Sequence, residues 1–264
     1  RASLKDSYQF VIDDLERAEK YLKLSENYSP ATDGAVFNTS YFTEYTVYAL
    51  RARLALYMKD YEAAIKYSSK IIDSGYFQLS SVNSMYSQSQ SYYDYMWSSD
   101  NSTEIIWKVG FTTTSFGGAL GRIFFNYDYR SMKPDYVPAK WVLNLYDNGD
   151  KRYSSFFETM TTGYSHGLTW PLLIKYFGNE TFFNNQLLHV SMPKVFRLSE
   201  QYLIRAEANI QKSQPDYTKA GKDITVLRTA RYDTYSGSTL ITKDNGMTVI
   251  EKERVEEVYM EGFR

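Results

Sequence analysis

Leu50-Arg51-Ala52-Arg53-Leu54-Ala55, followed by Asp60-Tyr61-Glu62-Ala63-Ala64-Ile65, is the stretch on which the fold turns. Tyr41 to Met58 is rich in Ala, Leu and Arg. A second helical segment runs from Tyr61 to Ser74 and stops at Gly75, in the position of a glycine C-cap. Only Lys59 and Asp60 separate the two, so the spacing predicts an antiparallel helical hairpin. The pattern returns near the C-terminus, where Ile204-Arg205-Ala206-Glu207-Ala208-Asn209 leads to Asp216-Tyr217-Thr218-Lys219-Ala220. Both copies keep an Arg-Ala step on the first helix and Asp-Tyr-x-x-Ala at the start of the second; the second copy has the longer turn. Small Ala residues let paired helices approach closely, and Tyr fills the gap at the turn. This is the tetratricopeptide mode of packing, in divergent repeats far apart in sequence. The fold class expected is all-α: tetratricopeptide-like helical hairpins with a long, mostly irregular, aromatic-rich insertion.

Outward from these hairpins, Asp6 to Leu24 carries Tyr8, Val11, Ile12, Leu15, Ala18, Tyr21 and Leu22 on one helical stripe. A loop containing Asn27, Ser29, Pro30, Asp33 and Gly34 follows. At the far end, Thr248 to Met260 reads as a helix with an apolar stripe of Val255, Val258 and Tyr259; its Glu/Arg run is expected to form i,i+4 ion pairs and to anchor the helix. Between the hairpins, Ser81 to Asp100, Thr112 to Gly121 and residues 153–192 show no sustained period. Glu104 to Phe111 is the best strand candidate, and Trp141 to Tyr146 reads as a short helix introduced by Pro138. One domain over residues 1–264 is expected. In it, 1–75 and 193–264 form a helical scaffold and 76–192 an insertion that is the candidate ligand surface, because loops of such length usually carry function. The chain opens in mid-helix and stops just past Gly262, so it reads as a mature fragment that lacks a C-terminal portion.

Composition removes several functions. Lys plus Arg is 30 against 31 for Asp plus Glu, a net charge of −1, which gives no basic surplus for nucleic acid. With no Cys, thiolate metal sites and cysteine nucleophiles are absent; His166 and His189 are too few for a multi-histidine metal site. No apolar run approaches the ~18–20 residues of a membrane span. None of the phosphate-loop, dinucleotide, nucleophile-elbow or zincin motifs occurs, and Gly117-Gly118-Ala119-Leu120-Gly121 lacks the spacing and Lys of a P-loop. No catalytic residue is named, and neither a cofactor nor a metal is expected. What remains unusual is an aromatic content of 17%, with 26 Tyr.

Several blocks resemble the SusD/RagB family of Bacteroidetes outer-membrane nutrient-binding lipoproteins. They are Ile12 to Ala18, Ala49 to Ile72, Asn101-Ser102-Thr103-Glu104-Ile105-Ile106-Trp107 and Asp147 to Arg152, which ends Asp-x-Arg. The most specific are Phe196 to Ala208 and Glu253-Arg254-Val255-Glu256-Glu257 with Glu261-Gly262-Phe263-Arg264. The resemblance implies non-catalytic binding of oligo- or polysaccharide at the cell surface, for uptake through a SusC-like TonB-dependent outer-membrane transporter. It also implies an N-terminal lipid anchor, which this chain lacks, as it lacks the acylated Cys and the remaining N-terminal region of the family.

Sugar rings present apolar C–H faces rimmed by hydroxyls, which Tyr and Trp faces, and planar polar side chains, complement. The candidate ligand-binding residues on this basis are Trp170, Tyr164, His166, Trp97, Tyr95, Tyr127, Tyr129 and Arg130, all within non-periodic segments. Trp170, before Pro171 in a Gly/Ser/Thr-rich stretch, is the foremost of them, and the resemblance places a variable ligand-contacting loop there. Trp107 and Trp141 read as core. The competing reading is a helical-repeat scaffold for protein–protein interaction, transporter docking included, with the aromatics as packing or interface anchors and no glycan site of its own.

Overall fold

The computed structural model describes residues 3–22, 38–128, 130–164 and 166–262. The loop expected at Asn27 to Gly34, the candidate Tyr129, and Phe263 and Arg264 lie outside them. The first helix, α1 (Leu4–Tyr21), has its own start: the Ser3 hydroxyl accepts from the Asp6 amide while Asp6 accepts from the Ser3 amide. It therefore does not open in mid-helix. The deciding stretch forms α2 (Glu44–Tyr57) and α3 (Tyr61–Ile72). Lys59, at φ 61°, turns the chain between them, and the Asp60 carboxylate caps α3 by accepting from the Ala63 amide.

The insertion is more ordered than its composition suggests. It holds α4 (Tyr92–Ser99), β1 (Ile105–Lys108), α5 (Arg122–Phe125), α6 (Lys140–Leu143), α7 (Arg152–Phe156), β2 (Phe157–Thr161), β3 (Thr169–Leu173) and α8 (Glu180–Asn184). β1 lies inside the segment expected to be a strand, and α6 covers the start of the short helix expected after Pro138. The β2–β3 hairpin, which pairs Phe157 with Leu173 and Met160 with Trp170, carries no alternation that would have announced it. After it come β4 (Lys194–Arg197), α9 (Leu198–Gln211), α10 (Tyr217–Arg231) and α11 (Gly246–Val258). β4 pairs antiparallel with β1 (Ile105 opposite Arg197, Lys108 opposite Lys194) and so ties the insertion to the start of α9.

The chain is mostly helical, as expected, and α2–α3 and α9–α10 are both helical hairpins. Ala49, Ala52 and Ala64 are wholly buried where α2 meets α3, as are Ala206, Ala208 and Ala220 around α9 and α10. Absent side-chain bulk is what lets these backbones approach. Gly221 is a sharper case, because a Cβ there would stand 2.5 Å from the Thr239 carbonyl oxygen. One apolar core joins α2 and α3 to Ile106, Phe196, Leu198 and Ile204. A second gathers the aromatics of the insertion around Tyr93, Trp97, Phe125, Phe156 and Tyr176; a third lies between α9, α10 and α11.

The charged run of α11 does not serve a solvated face. Glu253, Glu256 and Glu257 are buried and reach arginines on other elements. Arg197 bonds Glu104 at 2.6 Å, Glu257 at 2.8 Å and Glu261 at 2.6 Å; Arg231 bonds Glu104 and Glu257, both at 2.9 Å. Arg152 bonds Asp150 and Glu253, both at 2.7 Å. Among the described residues the i,i+4 pair in this run is Lys252–Glu256, at 3.7 Å. The anchoring expectation thus holds, but through long-range pairs, because turning the acidic face inward leaves carboxylates that only buried cations can compensate. Glu104, Asp150, Arg152, Arg197, Glu257 and Glu261 come from the blocks that carry the family resemblance. Those blocks converge on a structural ion network rather than on a ligand surface.

Candidate functional site

The β1–α4 region holds an open cleft of about 340 Å³, bordered by Gln78, Ser84, Tyr92, Tyr95, Asn101 and Thr103. Ser91 starts α4 by accepting from the Asp94 amide, which brings Tyr92 and Tyr95 out on the side toward Tyr86. Tyr86 and Tyr95 stack at 3.7 Å between ring centroids, and Tyr92 meets Tyr86 edge-on at 5.9 Å. Tyr92 and Tyr86 are each about half exposed. Opposite them, Gln78 and Thr103 are locked to one another: the Gln78 amide donates to the Thr103 carbonyl, and the Thr103 hydroxyl donates to the Gln78 carbonyl. Asn101 Oδ1 accepts from the Lys108 ammonium at 2.8 Å. Among the described residues, the Gln78 side-chain amide, the Ser84 hydroxyl and the Asn101 Nδ2 have no hydrogen-bond partner, so the cleft pairs aromatic faces with uncommitted polar groups.

Of the sequence candidates, Tyr95 lies in this cleft, while Tyr164, His166, Trp170 and Arg130 lie elsewhere, on the β2–β3 hairpin and the loop beside it. The Gly163 amide donates to the Met132 carbonyl at 2.7 Å and the Tyr164 hydroxyl to the Pro134 carbonyl at 2.5 Å, which seats the hairpin tip on that loop. Tyr164 is 45% exposed, and His166 and Arg130 are exposed. Trp170, the foremost candidate, is half-buried, with its indole N–H spent on the Pro138 carbonyl at 2.8 Å. The freely exposed tryptophan is instead Trp141, at 61%, with Tyr136 nearby in the chain at 59%. The reading of Trp141 as core fails because Val142 takes the inward position of the one-turn α6. Trp107, by contrast, does pack: it stacks on Phe42 at 4.6 Å and borders the first core.

Trp97 is displaced from the surface. It is 5% exposed, and the Lys175 and Lys194 ammonium groups stand 4.3 and 4.8 Å from its ring centroid, so no face is open to a sugar. Burial lowers the Lys175 pKa to about 8, against the pull of Glu261. Tyr127 is half-buried against Phe177 and His189. His189 is buried and structural: its Nε2 accepts from the Tyr127 amide at 3.0 Å, while its Nδ1 faces the Phe177 carbonyl at 3.1 Å. Burial holds its pKa below the ordinary histidine value. Sequence reasoning missed Gln78, Ser84, Asn101 and Thr103. Only Ser84 lies within the aperiodic run Ser81 to Asp100; Gln78, Asn101 and Thr103 flank it, and polar loop residues look alike until the fold sets them around one space.

Among the described residues no cluster of three His, Cys, Asp or Glu is placed to hold a metal ion, and no helix is long and apolar enough to cross a membrane.

The sequence model of the SusD family matches residues 77–264, and the chain belongs to that family. No curated protein matches it. Solved structures of similar fold include a SusD-like carbohydrate binding protein from Bacteroides vulgatus, with 22% identity, a TM-score of 0.72, 99% of this chain and 50% of that one covered. Others are surface glycan-binding protein A from Bacteroides uniformis (19%, 0.69, 97% and 56%) and a SusD superfamily protein from Bacteroides fragilis (16%, 0.75, 99% and 60%). The chain spans about half to three fifths of the length of these structures.

Proposed function

We propose that the chain is a non-catalytic glycan-binding unit of an outer-membrane surface lipoprotein, which captures oligo- or polysaccharide for a TonB-dependent transporter. The observation that carries this reading is the Tyr92/Tyr95 cleft, where the exposed Tyr92 ring and the half-buried Tyr95, backed by Tyr86, border one space with amide and hydroxyl groups of unspent hydrogen-bonding capacity. That combination suits a sugar, whose C–H faces stack and whose rim of hydroxyls both donates and accepts. Family membership supports it, as do similar folds in proteins described as carbohydrate or glycan binding. Tyr164 and Trp141, exposed on the hairpin side, are proposed as further contacts for a polymer.

A second reading draws on the exposed apolar residues Tyr136, Val137, Trp141 and Leu168, which suit a protein partner such as the transporter. Native gels cast with a panel of polysaccharides, host mucin included, test the first reading: at least one polymer retards the chain. No retardation by any polymer, together with co-purification of a transporter, would favour the second.

A further inference from the structure

We infer that the Tyr92/Tyr95 cleft selects uncharged glycans and rejects those carrying uronate, sialate or sulfate groups; this rests on the glycan-binding reading above. Every residue bordering the cleft is uncharged. Recognition of a carboxylate or sulfate in a protein site is dominated by Arg or Lys, whose charge-assisted hydrogen bonds offset the loss of the anion's hydration. Two cations bond residues of the lining, and both are buried: Arg231 donates to the Ser80 carbonyl at 2.5 Å, and Lys108 stands behind Asn101. The Lys108 ammonium donates to the Asp100 carbonyl at 2.6 Å and to Asn101 Oδ1 at 2.8 Å. The carboxylate bonded to the lining, Glu104, is wholly buried: its Oε2 accepts from the Ser80 amide at 2.9 Å while Arg231 neutralises it. None of these buried charges is presented to a ligand, and an anionic sugar entering here would lose hydration with no cation to receive it.

The groups that remain match a neutral ring. The Gln78 amide both donates and accepts, the Ser84 hydroxyl does the same, and Asn101 Nδ2 donates. At about 340 Å³ the space lies at the low end of small-ligand cavities (~300–1,000 Å³), so it holds a short segment of a chain whose remainder runs outside.

The test is affinity electrophoresis of the chain, Tyr92→Ala and Gln78→Ala in gels containing neutral polymers (amylopectin, mannan, β-glucan, arabinan) or acidic ones (polygalacturonate, alginate, hyaluronan, chondroitin sulfate). Circular dichroism checks each fold. Both positions are exposed, so at least one variant is expected to fold. The expected result is retardation by a neutral polymer, with apparent affinity weakened about tenfold in Tyr92→Ala, and no retardation by the acidic set. Acidic polymers that retard the chain and release Tyr92→Ala would overturn the selectivity while leaving glycan binding intact. Neutral binding unchanged in both variants would remove the cleft as the site. Silence across both sets would overturn the glycan reading itself.

Discussion

Two neighbouring glutamates on α11 should respond in opposite ways to the same substitution. The network sets the cations Arg152, Arg197, Arg228, Arg231 and Lys175 against the carboxylates Asp150, Glu104, Glu253, Glu256, Glu257 and Glu261, one carboxylate more, and the remaining cation, half-buried Lys252, stands 3.7 Å from Glu256 but bonds the exposed Asp147 at 2.9 Å. Glu257 is the best partnered. Burial alone would raise its pKa, but Arg231 and Arg197, at 2.9 and 2.8 Å, outweigh that and hold it well below the usual carboxylate range. Glu256 is the worst: Oε2 lies 3.4 Å from Arg152, Oε1 has no hydrogen bond among the described residues, and burial raises its pKa to about 8. Glu257→Gln therefore leaves two buried guanidinium groups short of charge, at a cost of about 3–5 kcal/mol. For a chain of this size that is roughly 6–20 °C in melting temperature. Glu256→Gln removes a group whose folded-state pKa lies above its unfolded value of 4.5, so ionisation destabilises the native state increasingly as pH rises from 4.5 to about 8. At pH 5 this substitution should be nearly neutral, and at pH 8 it should raise the melting temperature. Thermal unfolding followed by circular dichroism at both pH values measures this. Equal losses for the two variants at pH 8 would refute the assignment of the surplus charge.

Ala52→Leu should destabilise by about 1–3 kcal/mol, because the wholly buried Ala52 stands where α2 packs on its neighbours; chemical denaturation reads it directly. Trp97→Ala should cost about 3–5 kcal/mol and Trp141→Ala almost nothing, since their exposures are 5% and 61%; denaturation midpoints compare them. For His189, whose folded pKa is depressed below the ordinary 6.5, the unfolded chain binds the extra proton. Its stabilising contribution is present above pH 6.5 and falls as pH drops through that value, so His189→Gln should flatten the melting-temperature profile between pH 7.5 and 5.

The helical hairpins were legible in the chain because their cause is local. Ala spacing, the Asp60 and Asp216 caps and short turns act within a few residues, and the helix period of 3.6 writes them into the sequence. Strand β1 was legible for a similar reason, as a short apolar run of β-branched residues. The candidate site was not. Trp97, in the aperiodic Tyr-rich run, reads as a ligand contact and Trp141, in a short helix, as core, yet Trp97 is wrapped by buried lysines and Trp141 stands in solvent. Which way each points depends on Tyr176, Lys175 and Val142, residues brought there by long-range packing. The α11 glutamates show the same division. Their spacing announced a helix, but only the meeting of β4, α7, α10 and α11 placed arginines opposite them and turned a charged run inward. Composition and period determined the long helices of the scaffold but not α4, α5, α7 or α8 within the insertion. Tertiary structure decided which aromatic and charged side chains face water, because burial is a property of neighbours that sequence separation does not record.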